Sequence, residues 1–198
     1  MLDVRGLHTE LIGPLSLQVA PGECVSIGGV SGSGKSLLLR ALADLDPYQG
    51  SVTLEGLQAT DMAPARWRRR VQLLPAEPRW WAPRVGDHFE HRDPDAFAAL
   101  GLPDEVWDWP VERLSSGEKQ RLALLRALDR GPRVLLLDEP TANLDEANAT
   151  AVEQQVARFC DEQGGMAVWV SHDQAQRTRV AGRHYRLGDG VLRREPEL

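Results

Sequence analysis

The sequence predicts an α/β fold with a mostly parallel central sheet, antiparallel N-terminal strands and a small helical subdomain, and three stretches carry that prediction. Glu23-Cys24-Val25-Ser26-Ile27 reads as a strand, Gly29-Val30-Ser31-Gly32-Ser33-Gly34-Lys35-Ser36 matches the phosphate-cradling pattern GxxxxGK[ST], and Leu37-Leu38-Leu39-Arg40-Ala41-Leu42 is a strong helix former. Val134-Leu135-Leu136-Leu137 is a continuous apolar run, the mark of a strand buried on both faces, and it ends in Asp138-Glu139. Residues 2–7 and 15–19 instead alternate apolar and polar side chains with period two, as strands with one buried face do.

At 198 residues with ordinary apolar and charged fractions, the chain is expected to form one domain over 1–198, with the helical part at roughly 78–130. A net charge of −6 gives no overall electrostatic case for nucleic acid, and none is expected as a partner. No apolar stretch approaches the roughly 20 residues that cross a bilayer, and the N-terminus lacks a charged-then-apolar export signal, so a cytoplasmic location is expected. Cys24 and Cys160 form no metal or disulfide spacing and read as reduced core thiols.

Taken in order, the two alternating strands lead through a Pro21-Gly22 turn into the strand that feeds the phosphate loop. Glycines at 29, 32 and 34 let successive N–H groups converge, and the helix dipole that starts at Lys35 and continues through Leu37 adds positive potential at the same point. The candidate nucleotide-phosphate contacts are therefore Gly29, Val30, Ser31, Gly32, Ser33, Gly34, Lys35, Ser36 and Leu37, with the Ser36 hydroxyl offered to Mg²⁺. Pro47 and Gly50 break the helix, residues 51–55 alternate as a short strand, and the basic run Arg66-Trp67-Arg68-Arg69-Arg70 reads as a solvated face ahead of the strand at 71–74.

Five of the six tryptophans lie between 67 and 109. Trp107 and Trp109 are expected in a subdomain core and Trp80 and Trp81 on a partner-facing loop between Pro78 and Pro83. Ser115 and Ser116 stand where helix N-caps belong, ahead of the helix that begins around Gly117 and Glu118. Asp138 and Glu139 at a buried strand end are costly unless a cation or hydrogen-bond donors meet them; a bound Mg²⁺ would do so for Asp138, and Glu139 beside it can serve as a general base. Residues 146–160 form a helix whose buried stripe is Val152, Val156 and Phe159, residues 166–170 a strand ending at Ser171-His172-Asp173, and residues 185–192 two strands around Gly188-Asp189-Gly190.

The motifs at 29–36, 114–121, 138–139 and 172, in that order, resemble the nucleotide-binding domain of ABC (ATP-binding-cassette) transporters, a phosphate-loop NTPase of ABC type. The resemblance covers nearly the whole chain. Leu114-Ser115-Ser116-Gly117-Glu118 resembles the LSGGQ signature, with Ser116 where glycine is usual, and implies that Ser115, Gly117 and Glu118 close over ATP held by a second copy. It further implies that Asp138 holds Mg²⁺, that Glu139 and His172 are catalytic, that Asn143 and Asp145 make polar dimer contacts, and that the ATP-bound homodimer drives an integral membrane permease from the inner face of the membrane. Two departures stand out. The loop after the first strand, residues 8–13, has no aromatic to stack on adenine, leaving His8 as the one ring there. Ala76 occupies the place of a metal-approaching glutamine, with Glu77 as the neighbouring oxygen donor that could take over if the strand bulges. The short domain looks most like the stand-alone ATPase subunits of small metal-ion exporters. The alternatives are a nucleotide-sensing module with weak hydrolysis and a non-transport ABC ATPase. The latter usually carries paired domains, coiled coils or zinc insertions.

Overall fold

The period-two pattern at the N-terminus produces β1 (Leu2–His8) and β2 (Leu15–Val19), antiparallel partners in which Val4 faces Leu17 and Leu2 faces Val19. The computed structural model describes residues 1–196; the last two positions of the expected 1–198 domain lie outside them. With β4 (Gln49–Leu54) and β5 (Leu57–Gln58) these strands form a four-stranded antiparallel sheet in the order β2-β1-β4-β5.

The second sheet is built from β3 (Cys24–Gly28), β6 (Val71–Leu74), β7 (Val134–Asp138), β8 (Met166–Val170), β9 (Arg183–Gly188) and β10 (Val191–Arg194). Its order is β10-β9-β3-β8-β7-β6, parallel throughout except for the β9–β10 hairpin. Among the described residues six α-helices complete the fold: α1 (Lys35–Leu42), α2 (Pro64–Arg70), α3 (Pro94–Ala99), α4 (Ser116–Asp129), α5 (Glu146–Gln163) and α6 (Gln174–Val180).

The unbroken apolar runs of β7 and β8 serve both faces of the parallel sheet. Val134, Leu136, Val168 and Val170 pack toward the antiparallel sheet and α1, whereas Leu135, Leu137, Ala167 and Trp169 pack toward α4 and α5. Val152, Val156 and Phe159 supply the buried stripe of α5 as the periodicity requires. Cys160, near the end of the same helix, is buried and Cys24 half-buried; burial pushes both thiols up, Cys160 to about 12, so they stay protonated.

The basic run divides by face. Trp67 is fully buried and donates its indole N–H to the Leu42 carbonyl at 3.0 Å, tying α2 to α1, while Arg69 and Arg70 pair with Glu90 and Glu55 at the surface. The interval after β6 is less helical than expected: α3 and short 3₁₀ turns, linked by irregular chain, lead to α4. Trp107 and Trp109 pack against its core as predicted. Trp80 does not face outward. It is half-buried against the same core, edge-on to His88 with centroids 4.8 Å apart and under the Arg126 guanidinium, and its indole nitrogen is shielded from solvent. Trp81 alone of the pair is exposed, at 66%. The two prolines prevent a helix here, so adjacent side chains diverge and one indole must leave the core.

Candidate functional site

Because β3, β8, β7 and β6 are parallel neighbours, the loops that follow them emerge side by side at one edge of the sheet. That arrangement brings together residues more than a hundred positions apart. A cavity of about 450 Å³ is walled by the phosphate loop, from Gly29 to Leu37, together with Ala76, Asp138, Glu139 and His172.

Within the loop, Gly34 adopts a left-handed conformation (φ 99°) ahead of α1, and no side chain caps the first turn, so the helix's leading N–H groups face the cavity. A β-carbon on Gly29 would lie 2.3 Å from the Leu187 carbonyl oxygen, and one on Gly34 would lie 2.4 Å from Ile12, so neither position accommodates another residue without movement. Lys35 Nζ donates to the carbonyls of Gly29 and Val30 at 2.8 and 2.9 Å, folding its charge over the loop. The side chains of Val30 and Ser33 do not wall the cavity: Val30 is 72% exposed, and Ser33 Oγ is buried with no partner. A concave backbone with a lysine at its centre and no acid in the helix's first turn fits an anion of phosphate type.

Asp138, at the end of β7, is 7% exposed, and its carboxylate makes no hydrogen bond or ion pair among the described residues. A carboxylate so placed is satisfied by a cation or by hydrogen-bond donors, and with the phosphate loop on the same cavity wall it suits a cation. The chain turns sharply at the next residue: Glu139 has φ 49°, a left-handed conformation costing a non-glycine residue about 1–2 kcal/mol, and its N–H donates to the Val170 carbonyl at 3.1 Å. That turn points the Glu139 carboxylate to His172, whose Nδ1 lies 3.1 Å from Oε2. His172 is otherwise open to solvent, with its side chain 76% exposed.

The structure does not bring every predicted residue to this edge. Glu77 stands exposed beyond the end of β6 and outside the cavity wall, whereas Ala76 is part of it, so the proposed oxygen donor is not placed beside Ser36 and Asp138. β6 ends at Leu74 without the bulge that Glu77 would need. His8 is the last residue of β1 rather than a loop residue, and its Nδ1 lies 3.2 Å from the Gly6 carbonyl oxygen. The exposed apolar side chain of that loop is Leu11, at 77%, next to Ile12, which packs on Gly34. Nothing in the sequence marked Leu11.

Ser115, Gly117 and Glu118 form a separate cluster at the start of α4. Ser115 is the N-cap. The Glu118 carboxylate accepts from the Ser115 N–H at 2.8 Å while the Glu118 N–H donates to Ser115 Oγ at 3.2 Å, a complete capping box. The Ser115 N–H and then its hydroxyl hold the Glu118 carboxyl below its ordinary range. Gly117 packs against the loop after Glu139: a β-carbon there would stand 3.2 Å from Leu144.

The model of the ABC transporter family matches residues 12–142. Among curated relatives, the aliphatic sulfonates import ATP-binding protein SsuB of Pseudomonas entomophila is 35% identical, covering 92% of this chain and 69% of its own length. The "Probable iron export ATP-binding protein FetA" of Escherichia coli is 34% identical over 83% of this chain and 79% of its own. The lipoprotein-releasing system ATP-binding protein LolD 2 of Caulobacter vibrioides is 38% identical over 90% of this chain and 86% of its own. Among solved structures, the dimeric ATP-binding cassette MJ0796 in a post-hydrolysis state bound to ADP and Pi superposes with a TM-score of 0.86 at 23% identity, covering 100% of this chain and 99% of that one. An ATP-binding subunit of an ABC transporter gives a TM-score of 0.89 at 21% identity, with 98% and 89% covered. Family model, relatives and fold agree with the geometry at the sheet edge, and the chain belongs to the ABC transporter family.

Proposed function

We propose that this chain binds and hydrolyses ATP, with Mg²⁺, as the nucleotide-binding subunit of an ABC transporter. It would act in a head-to-tail homodimer and power a separate integral membrane permease from the cytoplasmic face of the membrane. The observation that carries the reading is the meeting on one cavity wall of the phosphate loop, the unpaired Asp138 carboxylate and the Glu139–His172 pair.

The backbone N–H groups of 29–37 and the Lys35 ammonium bind the nucleotide's phosphates. Ser36 and Asp138 would hold the metal. Among the described residues no trio of His, Cys, Asp or Glu forms a closed cation site, and the hydroxyl of Ser36 with the carboxylate of Asp138 offers the hard oxygen donors that Mg²⁺ prefers. Bound Mg²⁺ supplies neutralisation of the phosphate charge that builds up during transfer. Glu139 accepts the proton of the attacking water, and His172 holds the Glu139 carboxylate and orients the water against the terminal phosphate. Ser115, Gly117 and Glu118 lie outside this cavity and are assigned to the ATP held by the second copy.

The relatives' printed names span sulfonate import, iron export and lipoprotein release. Their common part, ATP binding for a transport system, is what we carry to this chain. Of the three relatives named above, the iron exporter matches the expected kinship with small metal-ion exporters, at 34% identity beside 35% and 38% for the other two, so that kinship gains no preference. Among the described residues no helix is long and apolar enough to cross a membrane. Exposed Trp81 is assigned to the permease contact, with Trp80 supporting it from below.

Phosphate release and nucleotide binding test the reading directly. Lys35→Ala should abolish ATP binding. Glu139→Gln should keep binding, lower hydrolysis at least about 100-fold and accumulate an ATP-bound dimer on size exclusion. Hydrolysis at the wild-type rate in Glu139→Gln would overturn the assignment.

A further inference from the structure

The Glu139–His172 contact joins the loops after β7 and β8, which share a backbone bond at their base from the Glu139 N–H to the Val170 carbonyl, and Glu139 is held in a left-handed conformation that it would not adopt unaided. Beyond that base, a side-chain tie is needed to fix the two loops relative to each other. Gln176 has the required geometry. It is 5% exposed, lies in the first turn of α6 four residues beyond His172, and its backbone N–H is capped by Asp173 at 3.2 Å. Its side-chain carbonyl accepts from the Trp169 indole N–H at 3.3 Å. Its amide nitrogen donates to Thr141 Oγ1 at 2.7 Å and to Glu153 Oε1 at 2.9 Å. The carbonyl and both amide hydrogens are therefore engaged. Trp169 is fully buried in β8, and Glu153 is also gripped by Arg179 at 2.9 Å, so the amide is anchored on the body of the fold.

Thr141 is the one partner of that amide on the loop that carries Glu139. It follows Glu139 by two residues in a tight turn, closed by the Ala142 N–H to the Glu139 carbonyl at 3.2 Å and the Leu144 N–H to the Thr141 carbonyl at 3.1 Å. A shift of Thr141 is therefore passed to Glu139 through a short, hydrogen-bonded segment. Glu139, Thr141, His172 and Gln176 all line one cavity of about 570 Å³ beside the phosphate-loop cavity.

We propose that Gln176 is a positioning residue for hydrolysis: its side-chain amide ties Thr141 to the helix after His172 and so sets the Glu139–His172 contact. The inference rests on the hydrolytic reading above. A carboxylate of the same shape at this position has no hydrogen to give Glu153 and sets like charge against it at the distance of the present bond, which drives the side chain from the place where it reaches Thr141. Misplacement of a reacting group by about 1 Å costs up to about 100-fold in rate.

The test compares kcat, KM, ATP affinity and thermal unfolding of wild type with Gln176→Glu, Thr141→Val, Thr141→Ser and the Gln176→Glu/Thr141→Val double variant. Gln176→Glu and Thr141→Val should each lower kcat about tenfold or more. KM and ATP affinity should stay near wild type, and Thr141→Ser, which restores the hydroxyl, should recover most of the rate. The double variant should be no slower than the slower single one, because both remove the same tie. Unchanged kcat, a Thr141→Ser variant as slow as Thr141→Val, or a rate loss that merely follows lowered stability and ATP affinity would overturn the proposal. Should Gln176→Glu fail to fold, the two Thr141 variants decide alone. A wild-type chain that releases no phosphate defeats the hydrolytic reading and this proposal together; an active wild type matched by its variants defeats this proposal only.

Discussion

Ala76 and Glu77 differ by one position, yet one lines the cavity and the other stands in solvent. Glu77→Ala should therefore leave the Mg²⁺ concentration needed for half-maximal ATPase activity unchanged, whereas Ala76→Gln, which brings a carbonyl oxygen to the wall, should lower it. A Mg²⁺ titration of phosphate release reads both. Leu11 is a second such residue: its side chain is exposed, and it precedes Ile12, which packs on Gly34 of the phosphate loop, so we propose it as an aliphatic surface for the nucleotide's base. Since aromatic stacking adds about 0.5–1.5 kcal/mol, Leu11→Tyr should tighten ATP binding by about two- to tenfold in a nucleotide titration.

At the scale of elements, α4 depends on its capping box. Ser115→Ala removes the hydroxyl that accepts from the Glu118 N–H and should cost about 1 kcal/mol in thermal or denaturant unfolding. The Glu118 carboxyl is held below its unfolded value, so its contribution is fully present above about pH 4.3 and is lost as pH falls through the folded value. The C-terminal segment is tied down differently. Arg177, whose side chain is 3% exposed, pairs with Glu195 at 2.6 Å, and Glu195 also takes Arg186 at 2.7 Å. Burial works against the charge on Glu195, but the two arginines outweigh it and keep the carboxyl below its ordinary range. Glu195→Ala leaves a buried guanidinium without its partner and should destabilise the chain by about 3 kcal/mol, measured by denaturant unfolding.

For the molecule as a whole, the exposed Trp81 and its buried neighbour Trp80 should separate in experiment. Trp81→Ala should reduce copurification with membranes by about thirtyfold, the equivalent of about 2 kcal/mol, while basal ATPase rate and unfolding temperature hold. Trp80→Ala should instead lower the unfolding temperature, because its ring, unlike that of Trp81, packs against the hydrophobic core as well as against His88 and Arg126. Equal loss of stability in both would return Trp81 to the core and remove the permease assignment. His88 adds a pH dependence to the same loop. Burial, with the nearby Arg126, holds its imidazole below the ordinary value despite the Ala82 bond and Asp87, so stability is full above about pH 6.5 and falls as the ring is forced to protonate below it. An unfolding-temperature profile from pH 7.5 to 5 should show that loss, and His88→Gln should flatten it.

Features set by contiguous residues were legible in the sequence. The phosphate loop is a run of eight residues whose glycines and lysine act within one turn of chain, and the strands announce their burial through alternation or its absence. Asp138, Glu139 and His172 could be named because each stands at or just beyond the end of a recognisable strand and matches a motif of the ABC family, and parallel strands deliver their loops to one edge. The alternation could not say how Trp80 and Trp81 divide between core and solvent, since that depends on where His88 and Arg126 arrive. Nor could it mark Gln176, whose three side-chain partners, Thr141, Glu153 and Trp169, come from three different elements. The sequence determined which chemical groups lie at the loop ends, because local backbone conformation and burial period are properties of neighbouring residues. The tertiary structure alone decided how those ends are held against one another, because a hydrogen bond between residues 35 positions apart exists only once the sheet and helices have packed.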